Sequence, residues 1–471
     1  MNRNQRLVIL LVFVAFFARI ICACASTDGL SKEESNQKER LPSYYDSYLY
    51  TIAHRIKNVV SNSSRESDGF FFITDTHVAD NALNSGNILC RLQELTQVKK
   101  VFWGGDAVCA FGTKADLDEQ ISIQDNYLKN CNDKGMLLKV RGNHDYLIMN
   151  NNNDMSNGYL YTETFTNQHM LMDKKIKAVF DDNNQDTYYY VDNKKANIRY
   201  IILSTTESLG EGTVISGNVR NGLKWNEGTQ RMKRQWDWLF TKALNTNMNV
   251  VIISHIPISY ICSRSGNDNY ELRQALRAFK KRLQYGEYDF SNANANLVAC
   301  IAGHSHVDSQ EMNDGILFVT TSCDAFPDDD GSTKNVAIDV ITDKREKGTI
   351  KEQLIDYFNI DIKNNIVSTL RIGGGKDRYF HINTIELEIG DTCTLVPQYI
   401  EASIWKSYNE GNHDKTDDLW PKWINGERNL VLPNDRVSVQ NGVVQAKKSG
   451  GANVVAISND NIIELFYIKV N

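Results

Sequence analysis

The chain has no block of lysine and arginine. Its formal net charge is -6 over 471 residues, with a pI near 5.9. That excludes the basic footprint of a protein that grips a nucleic-acid backbone. It does not exclude a phosphate substrate, because bound metals dominate the charge of such a site. There is also no Cys-x-x-Cys pair. Of nine cysteines, two fall in the first 25 residues, leaving Cys90, Cys109, Cys131, Cys262, Cys300, Cys323 and Cys393 widely scattered. This odd, dispersed set is not the framework of a small disulfide scaffold. Cys300 lies in an apolar run and is expected to pack as a small buried hydrophobe. Past the N-terminal 25 residues, no apolar run reaches the roughly 20 residues of a membrane span.

What is present begins with an address. Arg3 and Arg6 precede the apolar run Leu7 to Ala18, followed by Arg19 and the small-residue stretch Cys22-Ala23-Cys24-Ala25-Ser26. A basic head, an apolar run and an A-x-A-like end make a secretory signal over residues 1–25. Cleavage after Ala25 is expected. Ile21-Cys22-Ala23-Cys24 also resembles a bacterial lipobox, which would leave Cys24 lipidated. The chain is therefore expected to be secreted or held at the cell surface, and N-terminal sequencing separates the two. Residues 26–66 read as a polar linker followed by a helix, since Tyr44, Tyr48, Ile52, Ile56 and Val59 share one helical face.

Apolar residues make up 41% of the sequence, ample for a sizeable core. Short β-branched or aromatic runs at 69–74, 101–103, 136–140, 198–203, 249–253, 297–302 and 316–321 read as strands. Helical patterns over 229–246 and 268–284 lie between them, giving an α/β organisation. Residues 147–197, rich in Asn and Asp, read as an insertion or long loop. Strands at 335–341, 353–360 and 365–371 are expected to close the unit. From 381 onward the pattern is purely β. Asn441-Gly442 between two apolar runs is a hairpin signal, and the whole suits a small antiparallel sandwich.

Five polar motifs each follow an apolar strand: Asp75-Thr76-His77, Gly104-Gly105-Asp106, Gly142-Asn143-His144-Asp145, His255, and Gly303-His304-Ser305-His306. Open α/β sheets place their sites at such strand ends. Five of the nine histidines fall in these motifs. Carboxylate oxygens and neutral imidazole nitrogens are ligands for borderline divalent metals. In extended backbone, residues two apart face the same way, so D-x-H and H-x-H each present two ligands to one cavity. Singly these motifs are weak; five in order are specific.

The set resembles the calcineurin-like metallophosphoesterase superfamily over about residues 67–379. That resemblance implies an α/β fold in which a two-sheet β-sandwich is flanked by helices. It implies two divalent metal ions, Mn, Fe or Zn. Asp75, His77, Asp106 and His306 would hold one. Asp106 would bridge to the second, held also by Asn143, His255 and His304. His144 would be the general acid, oriented by Asp145. The implied function is an exported dinuclear hydrolase of phosphate mono- or diesters, with a metal-bridging hydroxide as nucleophile. One rival is a non-catalytic surface-binding protein, which would normally have lost a ligand or His144, and neither is lost; the other is an adhesin whose main work lies in the Ig-like part. The second block reads Gly105-Asp106-Ala107-Val108-Cys109-Ala110. It lacks the D-x-x-D-R-G form, which argues against the serine/threonine protein phosphatase branch even though Arg141 precedes the third block. Val437 to Ala456 resembles a group 2 bacterial Ig-like domain. This implies an Ig-like β-sandwich over 381–471, acting as a spacer or in cell-wall or surface attachment.

Overall fold

The first described helix, α1 (Tyr44–Asn62), holds no glycine or proline. It buries Tyr45, Leu49, Ile52, Ala53 and Ile56, a single stripe at helical spacing. It stops where Ser63 turns extended and its hydroxyl donates to the Val59 carbonyl, satisfying an otherwise open acceptor. In this computed structural model the described residues are 41–109, 114–145, 147–148, 159–160, 177–181, 187–205, 230–262, 269–327, 331–411 and 432–471. The expected signal, the linker and much of the insertion read over 147–197 lie outside them.

Three parallel strands with crossover helices follow: β1 (Ser67–Ile73), α2 (Ala82–Thr96), β2 (Lys100–Trp103), α3 (Lys114–Lys134) and β3 (Met136–Lys139). A second series begins with the short β4 (Val179–Phe180), β5 (Tyr189–Asn193) and β6 (Ile198–Leu203). It continues through α4 (Gln230–Trp238), extended by a π-helical turn over Leu239–Ala243, and then β7 (Asn249–Ser254) and α5 (Tyr270–Lys280). It ends with β8 (Asn296–Ala302), β9 (Ser309–Asn313) and β10 (Ile316–Thr320). Strand β5 was read as part of the insertion; its register with β6, Tyr189 opposite Ile202, makes it a sheet strand. The single strand expected over 335–341 is instead a turn joining Ser332–Asn335 to Val340–Lys344, with Asp339 left-handed at φ 49°.

Long antiparallel strands β11 (Leu354–Asp361), β12 (Ile366–Gly373) and β13 (Arg378–Leu387) follow. The remainder is β14 (Thr392–Thr394), β15 (Ile404–Asn409), β16 (Val437–Gln440), β17 (Val443–Ala446), β18 (Gly450–Ile457) and β19 (Ile463–Val470). The expected Asn441-Gly442 hairpin joins β16 to β17, with both residues at positive φ, 49° and 80°.

Two sheets face each other across one core. The nine-stranded sheet runs β15-β18-β19-β13-β12-β11-β1-β2-β3, and the seven-stranded sheet runs β9-β10-β8-β7-β6-β5-β4. Strand alternation sorts the side chains. Phe70 and Phe72 of β1 enter the inter-sheet core, while Phe71 and Ile73 face α1 and α2. Val251 and Ile253 of β7 point inward; Val250 and Ile252 pack under α4 and α5. The fold is the mixed α/β sandwich with flanking helices that the sequence led us to expect. All seven described cysteines are free thiols, and Cys300 is buried beneath α5.

The C-terminal strands do not stand apart. The boundary expected at 379–381 falls inside β13, which pairs with β12 on one side and with β19 on the other. Val455, Ile457, Ile463, Leu465 and Tyr467 share the inter-sheet core with Phe70 and Ile253. The opposite faces of the same strands, carrying Val454, Phe466 and Ile468, meet a three-stranded sheet, β14-β17-β16, around Leu395 and Val444. A small sandwich is present, but one of its layers is the end of the nine-stranded sheet. This region also covers the edge of the other sheet. Asn453 accepts from Met312 N at 2.6 Å and donates to Met312 O at 3.1 Å, filling the open side of β9 as a strand would. Tyr408 donates to Gln310 O and Asn313 to Gly411 O.

Candidate metal centre

Five loops meet at the carboxyl ends of β1, β2, β3, β7 and β8, and those loops carry the five sequence motifs. Parallel strands in facing sheets deliver their carboxyl ends to one place. Glycine lets the loops close up. A Cβ at Gly142 would lie 2.1 Å from Asp106 N, and one at Gly303 would lie 2.1 Å from Thr74 Oγ1 and 2.5 Å from Asp75 Oδ2. The loops are also tied to one another: Asp75 N donates to Gly105 O, His77 N to Asp106 O, and Gly303 N to His255 O.

The candidate ligands share an unusual backbone. Asp75, His77, Asp106, His304 and His306 all have left-handed φ, between 46° and 67°. Such residues each cost about 1–3 kcal/mol and persist only where the surroundings over-determine them. The segments D-x-H and H-x-H, expected to be extended, are instead left-handed at their candidate ligands.

Two groups of side chains result: Asp75, His77 and His306, and beside them Asp106, His255 and His304. Within each group the ligand atoms lie within 4.8 Å of one another. His306 Nε2 is 3.2 Å from Asp75 Oδ1, and His255 Nε2 is 3.1 Å from Asp106 Oδ2. Asn143 Oδ1 and His304 Nδ1 each lie 3.2 Å from His255 Nε2. Thus all seven residues expected to bind metal are brought together.

Backbone carbonyls fix the imidazoles. His77 Nδ1 faces Val108 O at 3.1 Å, His144 Nδ1 faces Cys109 O at 3.0 Å, and His255 Nδ1 faces Gly104 O at 2.8 Å. A carbonyl only accepts, so each Nδ1 carries the proton and each Nε2 presents a lone pair to the centre. The segment Asp106 to Cys109 thereby orients two histidines through main-chain atoms. Sequence reasoning could not find Val108 and Cys109, because their side-chain identity carries no part of that task. Thr74 was also missed; its hydroxyl donates to Asp75 Oδ2 at 2.6 Å, as does His304 N at 2.9 Å.

The expected role of Asp145 needs correction. Its Oδ2 accepts from Asp106 N at 3.0 Å and Gly142 N at 2.7 Å, and its Oδ1 from Ala107 N at 2.7 Å. The carboxylate staples the second and third loops together, while a carbonyl orients His144. Burial, then the Asp106 charge, push its pKa up to about 7 against those amide donors. Arg141 is buried and donates to Ser204 Oγ at 2.9 Å.

The buried charges state what the cavity wants. Asp75 Oδ1 and Asp106 Oδ2 are fully buried and have no hydrogen-bond partner among the described residues. Leaving such oxygens without a partner costs several kcal/mol, roughly. Burial opposes ionisation of both carboxyls, yet the neighbouring histidines, His255 foremost, hold them well below the usual carboxylate range. Burial and His144 push His77 down to about 4. Converging lone pairs and unmet carboxylate oxygens are the chemistry of a cation site, and the donor set fits divalent metal.

Known proteins were compared with the chain. The calcineurin-like phosphoesterase family model matches residues 70–308. No curated protein sequence matches. Among solved structures, a conserved uncharacterised protein from Streptococcus pneumoniae, described as a predicted phosphoesterase, is 13% identical. That match covers 67% of this chain and 97% of the other, with a TM-score of 0.25. A Plasmodium protein described as the anchor in the inner membrane complex is 12% identical, covering 65% and 84%, with a TM-score of 0.37.

Proposed function

The chain belongs to the calcineurin-like phosphoesterase family, and from that premise we propose that it hydrolyses phosphate mono- or diesters using two divalent metal ions. The observation that carries the reading is the pair of buried carboxylates, Asp75 and Asp106, each with an oxygen that no donor among the described residues satisfies, facing histidine nitrogens. Asp75, His77 and His306 would hold one ion and Asn143, His255 and His304 the other, with Asp106 between them. Bound there, the ions would polarise the phosphoryl oxygens and lower the pKa of an attacking water.

The chain's own groups supply the rest. Asp106 Oδ1 accepts the His144 amide at 2.8 Å, so the carboxylate and the third loop are held together. His144 Nε2 lies 3.9 Å from Asp106 Oδ2, at the rim of the centre. There it can carry a proton to the leaving oxygen. His144→Gln should keep both ions and slow the chemical step by about 10²-fold or more. Elemental analysis together with single-turnover rates checks this, and loss of an ion would make His144 a ligand instead.

The wider test is metal dependence. Chelator should abolish hydrolysis of chromogenic mono- and diesters, and added Mn²⁺, Fe²⁺ or Zn²⁺ should restore it. Undiminished turnover in a protein shown to be metal-free would end the proposal. The basic head and apolar run of residues 1–25 support export. The C-terminal strands, with their resemblance to Ig-like sequence, are proposed to serve surface retention as well as the sheet they complete.

A further inference from the structure

Two aspartates and two arginines form a fully buried network behind the metal loops. Side-chain exposure is 1% for Arg371, 2% for Asp308 and Arg378, and 0% for Asp356. Arg371 donates from Nε to Asp356 Oδ1 at 2.7 Å and from an Nη to Asp308 Oδ1 at 2.9 Å. Arg378 donates to Asp356 Oδ2 at 3.0 Å, to Thr320 O at 3.0 Å and to Thr321 Oγ1 at 3.2 Å. Thr321 Oγ1 in turn donates to Asp356 Oδ2 at 3.0 Å.

Stability alone is a poor reason for this arrangement. Desolvating four charges offsets most of their attraction, and well-packed apolar residues often do as well in such a place. What the network grips is informative. Thr321 N donates to Ala302 O, the last residue before the loop that carries His304 and His306. Asp308 lies just beyond that loop. Its carboxylate takes Ser322 N at 3.1 Å, its amide donates to Lys334 O, and its carbonyl accepts from Val336 N. Both ends of the loop are thus tied to one rigid charge lattice. Inside the loop, His304 and His306 hold left-handed backbone at φ 67° and 55°. Strained residues of this kind need an external constraint.

We propose that Arg371 and Arg378 are positioning residues for the metal centre, acting through Asp308 and Thr321 to hold the loop that presents His304 and His306. Both arginines lie on β12 and β13, far along the chain from every ligand, so the long antiparallel strands set the geometry of the site as well as the core. The proposal rests on the reading of these histidines as metal ligands.

The test uses the full chain and Mn²⁺ alone. Binding is measured by competition with a chelator, beside the melting temperature of the metal-free protein. Arg371→Lys keeps the charge and loses the planar fork. It should weaken Mn²⁺ binding by about 10–100-fold, the usual effect of removing a group that orients a ligand. The metal-free melting temperature should move by only a few degrees. Should Arg371→Lys fail to fold, Thr321→Val removes a single hydroxyl from the lattice and should weaken binding several-fold. Parent-like affinity in the folded variant overturns the proposal. So does a loss of affinity that merely follows a collapse of the metal-free melting temperature. A parent that binds no Mn²⁺ overturns the ligand reading instead, which keeps the two failures apart.

Discussion

Asp106→Asn should lower phosphoesterase turnover by about 10³-fold or more and leave the protein with less than its full metal content. Asp106 is grouped with His255 and His304, and the proposed function gives it to both ions. Its Oδ2 approaches His255 Nε2, and its Oδ1 is already committed to the His144 amide. An amide in its place offers one oxygen and a donor, so one contact becomes repulsive to a cation. The site also loses one of its two carboxylate charges. The fold should survive, because the backbone bonds of residue 106 to Asp145 and His77 do not involve its side chain. Metal content by elemental analysis and rate on a small ester check the prediction. Parent-like turnover would remove Asp106 from the centre.

A chain ending at residue 380 should be insoluble or melt without cooperativity. The cut removes Tyr408, Val455, Ile457, Ile463, Leu465 and Tyr467 from the core shared with β1 and β7. At about 1.5–3 kcal/mol each, these six side chains account for roughly 9–18 kcal/mol. That matches or exceeds the whole net stability of an ordinary domain, about 5–15 kcal/mol. The cut also severs β13 and strips Asn453 from the edge of β9. Soluble fraction and thermal melting measure the outcome. A soluble, metal-loaded 1–380 protein with the parent rate would restore the view of residues 381–471 as an appended spacer.

The candidate metal site was legible as a cluster because its chemistry is written in side chains. Asp75, His77, Asp106, Asn143, His255, His304 and His306 each follow an apolar strand, and parallel strands bring those ends together. The role of Asp145 was not legible. The resemblance implied that it orients His144, but its oxygens turn to the amides of Asp106, Ala107 and Gly142. Nor could the carbonyls of Val108 and Cys109 be seen, since every residue carries one. The hairpin at Asn441-Gly442 was plain from the turn residues. The sheet joining β13 to β19 was not, because hydrophobic alternation shows which faces are buried and never by what. Strands β18 and β19 are buried on both faces, and that double burial is the only trace of their two neighbours.

The order of the nine-stranded sheet has a consequence for how the molecule is made. Ser67 pairs with Asp361, and Arg378 with Ile463. The strand that begins the catalytic half waits for partners nearly 300 residues downstream, and the strand that ends it waits for residues still later. Loop closure over such separations is slow, and contacts of this range correlate with slow folding. During synthesis β1 to β3 would emerge with bare apolar faces and an open hydrogen-bonding edge. The strand that leads into Asp75 and His77 would lack its antiparallel neighbour until β11 arrived. A newly made chain should therefore remain unable to capture metal until almost all of it is available, and should depend on chaperones that shield unpaired strands in the interval.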